Sequence, residues 1–224
     1  MTTYVLVHGA WHSGEVWTRV VPLLQEAGHR AYAPSLTGHG DRAQLLSPDV
    51  NLGTHVDDVL RVIADEELTD VVLVGHSYAG MVVSAVAHRV PERIADLVFL
   101  DAMVPADGES VLDVMPVTRA MIDRAAPGWR VPPMPGDFGV SDPADVAWLR
   151  TMLSDEAVGC YTQPVALDNP AADRIPRTHI HCVGRPGPER RPVPPAETVW
   201  ELPTGHDCMV TMPAELTDLL LKLA

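Results

Sequence analysis

Residues 75–80 read Gly-His-Ser-Tyr-Ala-Gly, directly after the apolar run Val71-Val72-Leu73-Val74. A serine hydroxyl becomes a useful nucleophile only when a neighbouring base takes its proton. At a sharp turn between a buried strand and a helix, Ser77 would project that hydroxyl above the carboxyl edge of a sheet, where open α/β sheets bind ligands. Such a turn is crowded, so the positions two before and two after the serine must be small. Gly75 and Ala79 meet that need, with Gly80 adding slack. The pattern is the nucleophile elbow G-x-S-x-G with alanine in the last place; the plainer alternative is a serine that merely caps the following helix.

The base is expected late in the chain, on a loop that opens on the same sheet edge. His206, in Leu202-Pro-Thr-Gly-His-Asp, occupies that place. Of the other histidines, His29 and His55 fall at element boundaries, His88 reads as a surface helix residue, and His179 and His181 alternate along a strand. His76 adjoins the serine but is expected to point away from it. An oxyanion formed at the substrate needs donors. The Tyr78 N–H at the start of a helix is one, and the Ala10 N–H is the other. Ala10 lies in the loop His8-Gly9-Ala10-Trp11, where Gly9 lets the backbone approach the substrate.

A carboxylate should orient the histidine and stabilise its cation. The loop expected to supply it, residues 184–195, contains no aspartate and too many prolines for a helix. Asp101, at the end of the preceding sheet strand, and Glu189, within the proline-rich loop, are the two candidates. A site with no acid is the third option. Asp207 adjoins His206 in sequence and is poorly placed to bond its ring.

These residues need a scaffold, and the hydrophobic pattern describes one. Apolar strands at Tyr4–Val7, Arg30–Pro34, Val71–Val74 and Leu97–Leu100 alternate with helices at Glu15–Glu26, Thr54–Glu67 (Thr54 as N-cap) and Met81–Val90. This is the rhythm of a doubly wound, mostly parallel α/β sheet. It breaks over residues 105–174, expected to be an inserted, mainly helical cap. It resumes with strands His179–Val183 and Thr198–Leu202 and a helix Pro213–Leu223, so residues 1–104 and 175–224 form the core. Met115, Met121, Met134, Met152, Trp129 and Trp148 suggest an apolar cap lining. Gly9, Trp11, Trp129 and Met103 are the candidate substrate contacts, and the expected substrate is small to medium and largely apolar.

Composition narrows the partners. The 224-residue chain carries 16 Lys and Arg against 30 Asp and Glu, a formal charge of −14, which argues against nucleic acid or anionic membrane. No apolar run has the length of a membrane span. Three cysteines without metal-type spacing imply neither a disulfide framework nor a metal site. A strand so close to the first residue leaves no room for a signal peptide, so a cytoplasmic protein is expected.

The segments YVLVHGAWHSGEVW, GHSYAGMV, LVFLDAMVP and GHDCMVTMPAEL resemble the α/β-hydrolase branch of plant methylesterases, salicylate-binding esterases and hydroxynitrile lyases, with bacterial esterase relatives. The likeness spans residues 1–106 and 174–224. It implies an α/β-hydrolase fold with a helical cap over a pocket, dimerisation in many members and no cofactor. It further implies Ser77 as nucleophile, His206 as base, and the Ala10 and Tyr78 amides as the oxyanion hole. The lyase members carry threonine where Gly9 stands and lysine where Asp207 stands. An aspartate there would repel cyanide, so ester hydrolysis is preferred. A lyase, cyclase or isomerase using His206 to move a proton is the alternative, followed by a pseudoenzyme that only binds a ligand.

Overall fold

The structure, a computed structural model, describes residues 1–185, 191–195 and 197–224. The chain opens with β1 (Thr3–Val7), fully buried along its length. The stretch read as one helix, Glu15–Glu26, divides into a 3₁₀ turn at Gly14–Trp17 and α1 (Val21–Glu26). Pro22 lies in the first turn of α1, the one place where a missing N–H leaves no helical bond unmade. Next come β2 (Arg30–Tyr32), shorter than expected, and α2 (Leu52–Asp65). The N-cap of α2 is Asn51 rather than Thr54. Asn51 Oδ1 accepts from Thr54 N, while Thr54 Oγ1 accepts in return from Asn51 N, a capping box. Then β3 (Val71–His76), α3 (Ala79–Arg89) and β4 (Ile94–Leu100) follow closely.

Between β4 and the next core strand lie α4 (Val111–Val114), α5 (Arg119–Ala125), β5 (Arg130–Val131), α6 (Pro143–Met152), β6 (Glu156–Ala157) and α7 (Val158–Thr162). The regular elements of this interval are helices apart from the antiparallel pair β5–β6, joined by long irregular stretches. The chain returns to the sheet with β7 (Arg177–Cys182) and β8 (Thr198–Leu202), then ends in α8 (Cys208–Thr211) and α9 (Pro213–Leu220).

The main sheet has the order β2-β1-β3-β4-β7-β8, and every neighbouring pair is parallel. Parallel strands need both faces covered, which is why β1 and β3 read as unbroken apolar runs. One apolar cluster, including Val5, Leu73, Val83 and Phe99, packs on one face; another, including Leu6, Val74, Val98 and Leu216, packs on the other. The strand order reverses direction at β1. The chain steps outward to β2, then crosses back to β3 on the other side, so the β1 and β3 ends flank the crevice where such sheets place ligands.

Candidate active site

Sheet register carries three loops to that edge. Val7 is level with Gly75, His76 with Leu100, and Leu100 with Ile180. The next residue on β3 is Ser77 and the next on β4 is Asp101. Ser77 N donates to Leu100 O at 3.2 Å, and Asp101 N donates to Ile180 O at 2.7 Å, so both leave their strands anchored to the neighbouring strand. Both then take left-handed backbone, φ +56° at Ser77 and φ +43° at Asp101. For non-glycine residues this is a strained conformation that the surrounding packing must hold, and it concentrates at functional sites.

The small residues around Ser77 have distinct reasons. A Cβ on Gly75 would meet Val83 Cγ2 at 2.6 Å and Ala79 O at 2.8 Å. Ala79 begins the regular helix α3 and needs no positive φ, so alanine in the last elbow position carries no backbone cost. Gly80 is more than slack: a Cβ there would lie 1.9 Å from Met103 O, because the chain leaving Asp101 passes directly over it. That return is pinned by Met103 N donating to Ser77 O at 3.0 Å.

His206 comes from the loop after β8 and reaches back across β7. Its Nδ1–H donates to Asp101 Oδ2 at 2.6 Å, with the imidazole about one-third exposed and the carboxylate 12% exposed. Of the two candidate acids, Asp101 lies on the His206 ring, while Glu189 lies outside the described residues. Glycines make the reach feasible. Gly184 N donates to Thr204 O, and Gly205 packs against Gly139 so closely that a Cβ on Gly205 would sit 2.4 Å from Gly139 Cα. Among the described residues Ser77 Oγ makes no hydrogen bond. Catalytic contacts commonly tighten only when substrate fills the site. The N–H groups of Ala10 and Tyr78 likewise have no acceptor among the described residues, which leaves them available to an incoming oxyanion.

The alpha/beta hydrolase family model matches residues 4–219. The chain belongs to the alpha/beta hydrolase family. This hydrolase is 37% identical to the carbendazim hydrolyzing esterase of Nocardioides sp. (strain SG-4G), with all of both chains covered. It is 35% identical to methylesterase 1 of Arabidopsis thaliana over 46% of this chain and 40% of that one. Among solved structures, an extracellular alpha/beta-hydrolase from a Paenibacillus species superposes with a TM-score of 0.84 at 24% identity, covering 100% of this chain and 99% of that one. The branch resemblance read from the motifs thus stands, and no described helix of the hydrolase is long and apolar enough to cross a membrane.

Several residues of the hydrolase do something other than the sequence suggested. His76 is buried with its ring 4.5 Å from that of His206, and its Nε2–H donates to His206 O at 3.1 Å. Burial, with His206 adding to it, drives its pKa down to about 3, so it is a neutral strut beneath His206. His88 is buried rather than on the surface, and its Nδ1 accepts from Asn169 N. His55 is internal to α2. It donates from Nε2 to Thr37 O at 3.0 Å and accepts at Nδ1 from Tyr78 Oη at 3.1 Å, fixing the residue that follows Ser77. Asp207 does not face an incoming anion: it is fully buried and its carboxylate is bound to His12. No sequence pattern signals that pair, because the two residues are 195 positions apart.

The candidate substrate contacts divide. Gly9 packs so tightly that a Cβ would lie 2.9 Å from Ser77 Cβ, so this loop does approach the reacting edge. Trp11 is buried; its Nε1–H donates to Val131 O and its own carbonyl accepts from Ser154 N, which ties the loop after β1 to the interval between β4 and β7. Met103 is buried beside the elbow, and Trp129 is half-buried under the Arg130 guanidinium. Trp148 instead packs with the opposite core cluster, beside Arg19, and Met134 is exposed, so neither belongs to an apolar lining. A hollow of about 380 Å³ lined by Thr3, Arg30, Asp70 and Val72 lies at the other end of the strands, away from Ser77.

Proposed function

We propose that Ser77, His206 and Asp101 are the catalytic triad of this ester hydrolase, and that its substrate is a small to medium, largely apolar carboxylic ester. The observation that carries this reading is the 2.6 Å hydrogen bond from His206 Nδ1 to Asp101 Oδ2, which fixes the tautomer. With Nδ1 carrying the proton, Nε2 is the free base that can accept the Ser77 proton. Ser77 Oγ then attacks the ester carbonyl, and the Ala10 and Tyr78 amides take the negative charge of the tetrahedral intermediate. The His206 imidazolium, stabilised by Asp101, returns its proton to the departing alcohol. Water, activated by the same imidazole, releases the acid and frees Ser77.

Gly9, Trp11, Met103 and Trp129 are proposed to border the acyl and alcohol groups, since the loops that carry them frame the elbow. The reaction as written needs no metal and no cofactor. We assign the protein to the cytoplasm, the reading that three cysteines without disulfide-type spacing support. A homodimer is the oligomer proposed, by resemblance to the branch. The charge of −14 disfavours nucleic-acid and anionic-membrane partners.

The experiment is a rate comparison of wild type, Ser77→Ala and His206→Ala on p-nitrophenyl esters of increasing acyl length and on carbendazim. Loss of turnover in both variants supports acyl-enzyme chemistry. Turnover that survives Ser77→Ala but not His206→Ala would replace the acyl-enzyme with direct attack by water under His206 general-base catalysis, and a wild type inert on every ester would leave the lyase or isomerase reading.

A further inference from the structure

A second histidine–carboxylate pair lies directly beneath the first. His12 is 1% exposed and Asp207 is fully buried. His12 Nε2 lies 3.0 Å from Asp207 Oδ2, and His12 Nδ1 lies 2.8 Å from Ala10 O. Both partners are pure acceptors, so both ring nitrogens must carry hydrogen. A neutral ring would leave one nitrogen lone pair facing a buried oxygen. We propose that His12 is a positioning residue for catalysis, a buried imidazolium that clamps the oxyanion loop, through Ala10 O, to the loop that carries His206, through Asp207.

The two ends of the clamp are what make it consequential. The peptide group whose oxygen His12 holds belongs to Ala10, the residue whose N–H is a proposed oxyanion donor. The carboxylate at the other end belongs to the residue directly after His206. One rigid cation therefore sets the spacing between the donor and the base, two groups delivered by chain segments almost 200 residues apart. This inference rests on the triad reading, since only there do those two groups act on one substrate.

The surroundings suit a single fixed cation. His76 lies edge-on, with ring centroids 6.2 Å apart, and is neutral; its Nε2 is 3.9 Å from Asp207 Oδ1. His8, on β1's continuation, is also kept neutral by burial. Phe138, from the helical interval, closes the other side at 4.8 Å. The His206 ring also comes within 4.8 Å of the Asp207 carboxylate, but its own hydrogen bond goes to Asp101. Burial alone would strip the proton from His12, yet the Asp207 charge and the two hydrogen bonds outweigh it and raise the pKa.

The test uses His12→Gln and Asp207→Asn with a p-nitrophenyl ester, counting active sites by fluorophosphonate titration so that misfolded protein is excluded. Displacing an oxyanion donor by about 1 Å is expected to lower kcat by about 10²-fold per titrated site, with KM nearly unchanged. The double variant should be no worse than either single one, because both break the same clamp. The alkaline limb of the wild-type pH–rate profile should move to lower pH in Asp207→Asn. Nitrogen-15 NMR of the His12 ring should show two protonated nitrogens at pH 7. Unchanged kcat per titrated site with only a lowered Tm would overturn the proposal, as would a single protonated His12 nitrogen. Wild type that reacts with no fluorophosphonate refutes the triad instead, and the ring spectrum still decides the protonation of His12.

Discussion

At Asp101 a single carboxylate oxygen decides the tautomer of His206. Replacing it with asparagine keeps the volume but lets the imidazole present the wrong nitrogen to Ser77, and such a change costs a serine protease about 10⁴ in kcat. We expect Asp101→Asn to lose about four orders of magnitude on a p-nitrophenyl ester at pH 7, measured by stopped assay, while Glu189→Gln stays within twofold of wild type. As candidates, Ser77 and His206 stand out in the sequence because each sits in a local pattern, an elbow and a terminal loop. Asp101 stands there only beside Glu189 and a site with no acid. Whether the acid follows β4 or β7 depends on how far the His206 loop reaches, and that is set by the close packing at Gly184, Gly205 and Gly139 rather than by any motif. His12 and Asp207 were invisible for the same reason, since only the fold brings them together.

At the scale of elements, the site rests on close backbone passages. Gly80 in α3 is where the chain leaving β4 crosses the elbow helix. A Cβ at 1.9 Å from a carbonyl oxygen cannot be absorbed by a rotamer change. Gly80→Ala is therefore expected to destabilise by at least about 3 kcal/mol, or to prevent accumulation of folded protein, as read by urea denaturation. Asn51→Ala, which removes the N-cap of α2, should cost only about 1 kcal/mol in the same measurement. Strand positions were legible because fully buried parallel strands leave continuous apolar runs. Helix starts were less so: the apolar spacing runs back past Pro22 before α1 but begins only after Asn51 in α2, whose start is set by capping. The short β5–β6 pair left no readable alternation, as two residues per strand are too few to show one.

For the molecule as a whole, the helical interval is fastened to the sheet partly through buried charge. Glu156 of β6 and His39 lie 3.2 Å apart, both fully enclosed. Burial alone would raise the Glu156 pKa, but His39, with His55 and Cys160 adding to it, outweighs burial and brings the value to about 2. Breaking such a pair leaves an uncompensated buried group, so Glu156→Gln should lower stability by about 3–5 kcal/mol in urea denaturation. The histidines also set a pH window. Burial lowers the pKa of His8, His55 and His76 in the fold. Their contribution is present above the unfolded value near 6.5 and is lost as pH falls below it, toward about 3 for His76. His12 runs the other way: its folded pKa is raised, so its contribution is complete below about 6.5 and is lost as pH rises through the folded value. Thermal melts should therefore show Tm falling from pH 7 to pH 5. Asp207→Asn should selectively flatten the alkaline decline.

The most direct test of the triad is the mass of the intact protein after brief exposure to a fluorophosphonate at pH 7, followed by peptide mapping. A single covalent adduct located on Ser77, absent from Ser77→Ala and slowed severalfold or more in Asp101→Asn, is the predicted result. An unmodified wild-type chain, or an adduct on any other residue, would contradict it.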